Sequence, residues 1–331
     1  MVDLRWSLDF RTRLRDEHMQ PERPFITVGV ACFNAENTIA RAIDSAMKQD
    51  WPNKEIIVVD DGSTDGSEAV LQEMARQYPG LRVIPCGVNQ GVAAARNRIL
   101  AEARGEFIAF FDDDDESCED RLTKQWRRLT DYEQLHGAEL VLCYSNRHVV
   151  RAGQTRDVGM AIGREPPEPS GRIVANFLFG HLADSHHVWG KLGSGTLMAR
   201  RRTFLAVGEF DASFRRCEEW DLAVRAALRG AHFIGVNEPL IIQYRTTSAD
   251  KSGKTPLQYA LRLRRKHKDY LVKEKVYLAS LAMAHARFHA YRRHHWRNHL
   301  FLALAYCLLP PSVLAAKLAS RLIGYNAARV V

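Results

Sequence analysis

Short runs of bulky apolar residues alternate, along the first half of the chain, with segments of helical character. Phe25–Ala31 (FITVGVA), Lys54–Asp60 (KEIIVVD), Leu81–Cys86, Phe107–Phe111 and Leu140–Tyr144 are β-rich and show no helical period, the pattern of strands covered on both faces. Between them Asn37–Gln49, Ser67–Tyr78, Asn89–Ala103 and Asp120–His136 read as helices, the first with Asn37 as N-cap and the second closed by Pro79-Gly80. Strands alternating with helices of this length predict a parallel sheet with right-handed crossovers, a doubly wound α/β domain. Such a sheet binds ligands just beyond the carboxyl ends of its strands.

Three of those ends carry polar groups: Phe33-Asn34, Asp60-Asp61, and Asp112–Asp115 with Glu116 after them. Four adjacent carboxylates repel, raise one another's pKa values and need a compensating cation. Oxygen-only ligands suit Mg2+ or Mn2+, which also take substrate phosphates into their shell. One acidic run alone would be a solvated turn, but three polar ends converging on one crevice predict a metal-nucleotide site. No GxGxxG or Walker A pattern follows the first strand, and Ser252-Gly253-Lys254-Thr255 lacks the defining glycine, Ser248 standing in its place and Pro256 following. A nucleotide held without glycine-rich loops needs another phosphate partner, which a carboxylate-bound divalent ion supplies.

At 331 residues, 46% hydrophobic and 26% charged, the composition is that of a globular protein. Six scattered cysteines without CxxC signal neither zinc nor a disulfide framework, so a reducing compartment is expected. The first residues alternate charged and apolar side chains and lack a signal-peptide core, and no apolar stretch has the length of a membrane span. The net charge of +8 is uneven: residues 261–331 carry +12 and the rest −4. In that basic tail, Leu300–Leu309 is apolar and Pro310-Pro311 precedes Ser312–Ile323, where Lys317 and Arg321 lie four apart; Arg292-Arg293 and Trp296-Arg297 stand upstream. The pattern fits an interfacial helix attracted to anionic lipid or a packed helical lid; without a nucleic-acid fold, nucleic acid is not expected as a partner.

The stretch ITVGVACFNAENTIARAIDSAMKQDWPNKEIIVVDDGSTDGSEAV, then Asn89-Gln90-Gly91, Ala95-Arg96-Asn97 and FIAFFDDDDES, resembles glycosyltransferase family 2, the inverting GT-A transferases, over roughly residues 24–245. The resemblance implies a GT-A fold, Rossmann-like with a mostly parallel sheet flanked by helices, here with a helical C-terminal extension. It implies that Phe33 stacks on the nucleotide base and Asp61 hydrogen-bonds it, that Asn34 and Arg96 belong to the donor site, and that Asp112-x-Asp114-Asp115 is the metal- and ribose-binding motif. Asp112 and Asp114 are then on the donor, and Asp114 and Asp115 on the metal. Asp113 fills the variable position, and Ala31 replaces the commoner Pro or Thr. In Cys217-Glu218-Glu219-Trp220-Asp221, Glu219 occupies the place of the catalytic base, usually Asp, with Asp221 a second catalytic candidate; read alone, these acids are simply a favourable first helical turn. Lys191–Ala199 resembles the strand beneath the acceptor site, and Arg164–Gly171 reads as a surface loop. Thr246-Thr247-Ser248 stands where a metal-binding His often lies, and the QxxRW motif of processive synthases is absent.

The expected organisation is a leader at 1–23, a nucleotide-sugar half at 24–145, an acceptor half at 146–255 and a basic helical extension at 256–331, which meets an anionic membrane surface. The expected activity is metal-dependent inverting transfer of one sugar from a nucleotide-sugar, a UDP-sugar being favoured, to a hydroxyl of a glycan or lipid-linked glycan. That chemistry serves cell-surface polysaccharide or glycolipid synthesis in the cytoplasm, at the inner membrane face. A sugar-nucleotide-forming nucleotidyltransferase and a non-catalytic glycan- or membrane-binding protein are the rival readings.

Overall fold

The computed structural model describes residues 23–151, 154–181, 186–244 and 253–322, with backbone alone for 155, 156 and 318–322. The leader before Arg23, Thr246–Ser248, Ser252 and the side chain of Arg321 therefore lie outside the described residues. The first half alternates strand and helix as expected: β1 Ile26–Cys32, α1 Ile39–Met47, β2 Lys54–Asp60, α2 Ser67–Gln77, β3 Leu81–Pro85, α3 Val92–Glu102 and β4 Phe107–Asp112. These strands run parallel in the order β3-β2-β1-β4. Register puts Cys32 opposite Asp60 and Ala31 opposite Asp112, so the polar ends of β1, β2 and β4 finish at one level.

The helix starts differ from the expected ones for visible reasons. Thr38, not Asn37, is the N-cap of α1, because the Ala35 carbonyl already takes the N–H groups of Thr38 and Ile39. Asn89–Gly91 stays outside α3 because the Gln90 and Gly91 N–H groups donate to Asp61, and Gly91 turns at a φ of 98°.

Beyond β4 the sheet changes hand of pairing. The chain continues through β5 Glu116–Ser117, α4 Arg121–His136, β6 Val141–Arg151, β7 Gln154–Gly159, α5 Arg172–Phe179, β8 Met198–Arg200, α6 Arg201–Val207, α7 Glu218–Leu228 and β9 His232–Tyr244. The order is β3-β2-β1-β4-β8-β6-β9-β5, with β7 as a hairpin on β6. Strand β8 is antiparallel to both neighbours, while β6 and β9 are parallel. The strand expected at Lys191–Ala199 is thus three residues long and preceded by a 3-10 turn at Ser194–Thr196. The segment containing Arg164–Gly171 runs alongside the start of β9: Phe233 N–H donates to the Pro169 carbonyl (2.9 Å) and Gly235 N–H to that of Gly163 (2.8 Å).

Only Asp113, Asp114 and Asp115 separate β4 from β5, yet β8, β6 and β9 lie between those strands in the sheet. Four residue steps reach at most roughly 14 Å, whereas four strand spacings laid flat need roughly 19 Å. The sheet is therefore curled, and the acidic triplet is the strap across its mouth. One face of the sheet buries Ile39, Ile43, Leu71, Leu122 and Leu129. The other buries Ile99, Val174, Phe204 and Leu222, together with Leu263, Leu271, Val276 and Ala279 from the extension.

The extension is all helix: α8 Thr255–Lys266, α9 Lys268–Lys273, α10 Tyr277–Tyr291, α11 His295–Cys307 and α12 Pro311–Leu322. Helix α8 packs on α10, and α10 on α5 and α11. Lys317, expected to face lipid, instead donates from Nζ to the Gly180 carbonyl (2.5 Å) and lies over the Tyr306 ring. Among the described residues, no helix is long and apolar enough to cross a membrane.

Candidate functional site

The site grows from the loops after β1, β2 and β4. Phe33 is 44% exposed, and its N–H donates to Asp113 Oδ2 at 3.0 Å. Asn34, in the left-handed region at φ 51°, accepts the Thr64 N–H on Oδ1 (2.8 Å) while its own N–H donates to Ser63 Oγ (3.0 Å). In turn Ser63 donates from N and Oγ to Asp60 Oδ1. Asp61 is buried, with one carboxylate oxygen on the Gln90 N–H (2.9 Å) and the other on the Gly91 N–H (2.7 Å). Both oxygens of the expected base-binding acid thus shape the rim of the crevice.

Asp112, Asp114 and Asp115 each offer an oxygen within 4.8 Å of the others. Asp115 is buried and accepts the Tyr244 N–H at 3.0 Å. Burial first, then repulsion from Asp112 and Asp114, pushes its carboxyl up to about 8. Burial likewise pushes Asp113 up to about 7, with the charges of Asp114 and Asp112 adding and the Phe33 N–H opposing. Carboxylates this close repel one another, and their all-oxygen donors fit Mg2+ or Mn2+. Space beside it is kept by Gly195, where a Cβ would stand 2.1 Å from Asp112 Oδ2.

Two cations that the sequence did not single out border the strap. Arg41, on α1, donates to the Asp114 carbonyl (2.8 Å), pairs with Glu116 (3.0 Å) and covers the Tyr244 ring. Arg147, on β6, contributes a positive charge that opposes the upward shift of Asp115. Nothing local marks either residue, because β5, β6 and β9 reach the strap only through sheet pairing.

Arg96 joins this cluster to α7. Its buried guanidinium sits 2.8 Å from Glu218 Oε1 and 3.4 Å from Asp112 Oδ1. Next to Glu218, the half-buried Glu219 accepts the Ser194 N–H at 3.1 Å. Burial, then the charge of Glu218, pushes the Glu219 carboxyl up to about 7, against the pull of Arg96. A carboxylate balanced there can take a proton at neutral pH.

Asp221 is not part of this arrangement. Two residues on, it has turned roughly 200° around the helix and is fully buried against the extension, bonded by Arg225 Nε (2.7 Å), Lys266 Nζ (2.8 Å) and His267 Nε2 (2.9 Å). Burial alone would raise its pKa; those partners hold it below the ordinary carboxylate value. The structure therefore brings Phe33, Asn34, Asp112, Asp114, Asp115, Arg96 and Glu219 to one crevice, puts Asp61 beneath its rim, and leaves Asp221 facing away.

Residues 27–163 match the family model for glycosyl transferase family 2. The amylovoran biosynthesis glycosyltransferase AmsB of Erwinia amylovora is 26% identical, over 76% of this chain and 80% of its own length. The chain spans less of the next curated relatives, 41% and 39% of their lengths. Among solved structures, S. aureus TarS 1-349 in complex with UDP-GlcNAc superposes with a TM-score of 0.62 at 20% identity, over 92% of this chain and 87% of that one. The mannosyltransferase PcManGT from Pyrobaculum calidifontis, in complex with GDP-Man and Mn2+, gives 0.53 at 19% identity, over 97% and 89%. These two likenesses are of fold, and the expected GT-A architecture stands with them.

Proposed function

We propose that this chain, which belongs to glycosyltransferase family 2 through residues 27–163, moves a single sugar with inversion from a nucleotide-sugar to a hydroxyl of a glycan or lipid-linked glycan in polysaccharide biosynthesis. One observation carries the reading: a cluster of three mutually repelling carboxylates is joined through Arg96 to Glu218, and the neighbouring Glu219 is a carboxylate held near neutrality. The first suits a diphosphate brought with a divalent ion, and the second suits removal of a proton from an attacking hydroxyl.

In this reading residues 24–145 hold the donor and 146–255 the acceptor. Phe33 offers its exposed ring to the base, Asn34 and the Asp61-held rim shape the base pocket, and Asp112 and Asp114 line the ribose and diphosphate. Asp114 and Asp115 would hold Mn2+ or Mg2+, which when bound neutralises the departing nucleoside diphosphate. Glu219, fixed by the Ser194 N–H, takes the acceptor proton on the face opposite the leaving group. A UDP-sugar is the favoured donor; AmsB is named for amylovoran biosynthesis, and proteins of this fold were solved with UDP-GlcNAc and with GDP-Man and Mn2+. The setting that suits such an acceptor is the cytoplasm, at the inner membrane face.

A panel of UDP- and GDP-sugars, each with Mn2+ or with chelator, tests this by thermal shift and by release of nucleoside diphosphate. Metal-dependent stabilisation by one donor, with a product of opposite anomeric configuration, is the expected result. Equal nucleotide affinity with metal and with chelator would overturn the metal assignment, and pyrophosphate release from a nucleoside triphosphate and sugar phosphate would overturn the transferase reading.

A further inference from the structure

Helix α11 is packed the wrong way round for a helix that meets only protein and water. Its inward side is made of Ala305, buried, with Leu302 and Phe301 half-buried; they meet Ala282, Met283 and the ring of His285 on α10. Its outward side carries Trp296, Leu300, Leu304 and Leu308, exposed by 68%, 57%, 46% and 37%, with Ala303 and Cys307 also exposed between them. A surface helix ordinarily turns its largest apolar side chains to the core, and a contiguous apolar stripe left outside marks an interaction surface.

The surroundings of the stripe select the partner. Arg292, Arg293 and Arg297 are exposed at its amino end, and the Arg297 guanidinium lies 5.0 Å from the centre of the Trp296 ring. No acidic residue occurs in the sequence after Glu274, so nothing on α10, α11 or α12 offsets those charges. A second copy docking face to face would bring the same cationic patch against itself. An anionic lipid surface answers both features, taking the leucines below the headgroups, the Trp at their level and the arginines against phosphate.

We infer that the outward face of α11 docks in the plane of an anionic bilayer and holds the protein there reversibly. The inference goes beyond the catalytic reading and does not rest on it. Helix α11 is the outermost layer of the stack in which α10 lies on α8, and α8 meets α7 through Lys266 and His267. Docking would leave α7 and its Glu219 uncovered.

The test is flotation of the full chain with vesicles of phosphatidylcholine alone or mixed with phosphatidylglycerol. The wild type should float with the anionic vesicles and progressively less as salt rises. Leu300→Asp/Leu304→Asp should weaken that binding by at least about tenfold, and Arg292→Glu/Arg293→Glu/Arg297→Glu should abolish the preference for anionic lipid. Leu135→Asp, at a 78% exposed position on α4, should bind as the wild type does. In the unaltered chain an environment-sensitive dye on Cys307, the exposed cysteine on this face, should shift to the blue with anionic vesicles, a readout that needs no variant to fold. The inference is overturned if the wild type ignores vesicles in low salt, if the leucine double variant melts and floats like the wild type, or if the dye does not shift. It is equally overturned if sedimentation shows an oligomer that the double variant dissociates while vesicles bind neither protein.

Discussion

Glu219 and Asp221 stand two residues apart on α7, one beside Ser194 and the acid cluster and the other against the C-terminal extension, and their surroundings divide them. Glu219 has the Ser194 N–H on its carboxylate, Glu218 beside it and Arg96 shared with two other acids, and it is pushed up to about 7. Asp221 is bonded by Arg225, His267 and Lys266, the last shared with Asp211, and is held below its ordinary value. One carboxylate is left able to exchange a proton, and the other is committed to an ion network that fastens α8 to the body of the fold. The contrast teaches that the motif around residue 218 specifies acids, while the number of cations each receives specifies their work.

The hardest blow to that contrast would come from turnover. Glu219→Gln should lower kcat by roughly 10²–10⁴-fold with donor affinity kept, whereas Asp221→Asn should leave kcat within about tenfold at temperatures where it is folded. A larger defect in the Asp221 variant would reverse the two roles. On the donor side, Asp115→Asn should reduce the tightening of nucleotide binding by Mn2+ by roughly 10–100-fold in calorimetry, the scale on which lost metal-site groups act; unchanged coupling would detach the strap from the metal.

Stability is expected to separate the acids in the opposite sense. Asp221→Asn should cost roughly 1–2 kcal/mol, reduced from the full price of a broken buried pair because Lys266 is part-exposed. Since the native pKa of Asp221 is depressed, its contribution is present above the unfolded value near 3.8 and lost as pH falls through the native one. The gap between wild-type and variant melting temperatures should therefore close on acidification. The smallest effect concerns protons on the strap: with Asp115 raised to about 8, they compete with a cation, so the Mn2+-induced rise in Tm should grow from pH 6 to pH 8 and flatten in Asp115→Asn.

What could be read from the chain without coordinates was whatever is written locally. Continuous apolar runs mark β1, β2 and β4, the first stopping on Phe33-Asn34 and the other two on acids, and their common level follows once the strands are parallel. Strand β9 was hidden because Asn237-Glu238-Pro239 interrupts its apolar pattern where the pairing with β6 shifts register. Strand β8 is too short to show a period. The Arg96 to Glu218 pair spans 122 positions and the Lys266 to Asp221 pair 45, and no local pattern announces contacts of that range. The basic tail is legible as amphipathic, and Arg292, Arg293 and Arg297 are exposed as that pattern requires, but Lys317 is spent on Gly180 and the outward apolar stripe lies on α11.

The strap from β4 to β5 also bears on how this sequence can change. Its three residues close the mouth of a curled sheet whose register is fixed on both sides, by Ala31 against Asp112 and by Ile242 against Glu116. Adding or removing one residue would have to be absorbed by a strand, and a one-residue slip turns every side chain of that strand to the opposite face. Length is thus under tighter control here than identity: Asp113, which fixes the Phe33 N–H, is the spacer that keeps Asp112 and Asp114 at their separation. Substitution can alter the acids of this strap one at a time, but insertion and deletion are closed to it.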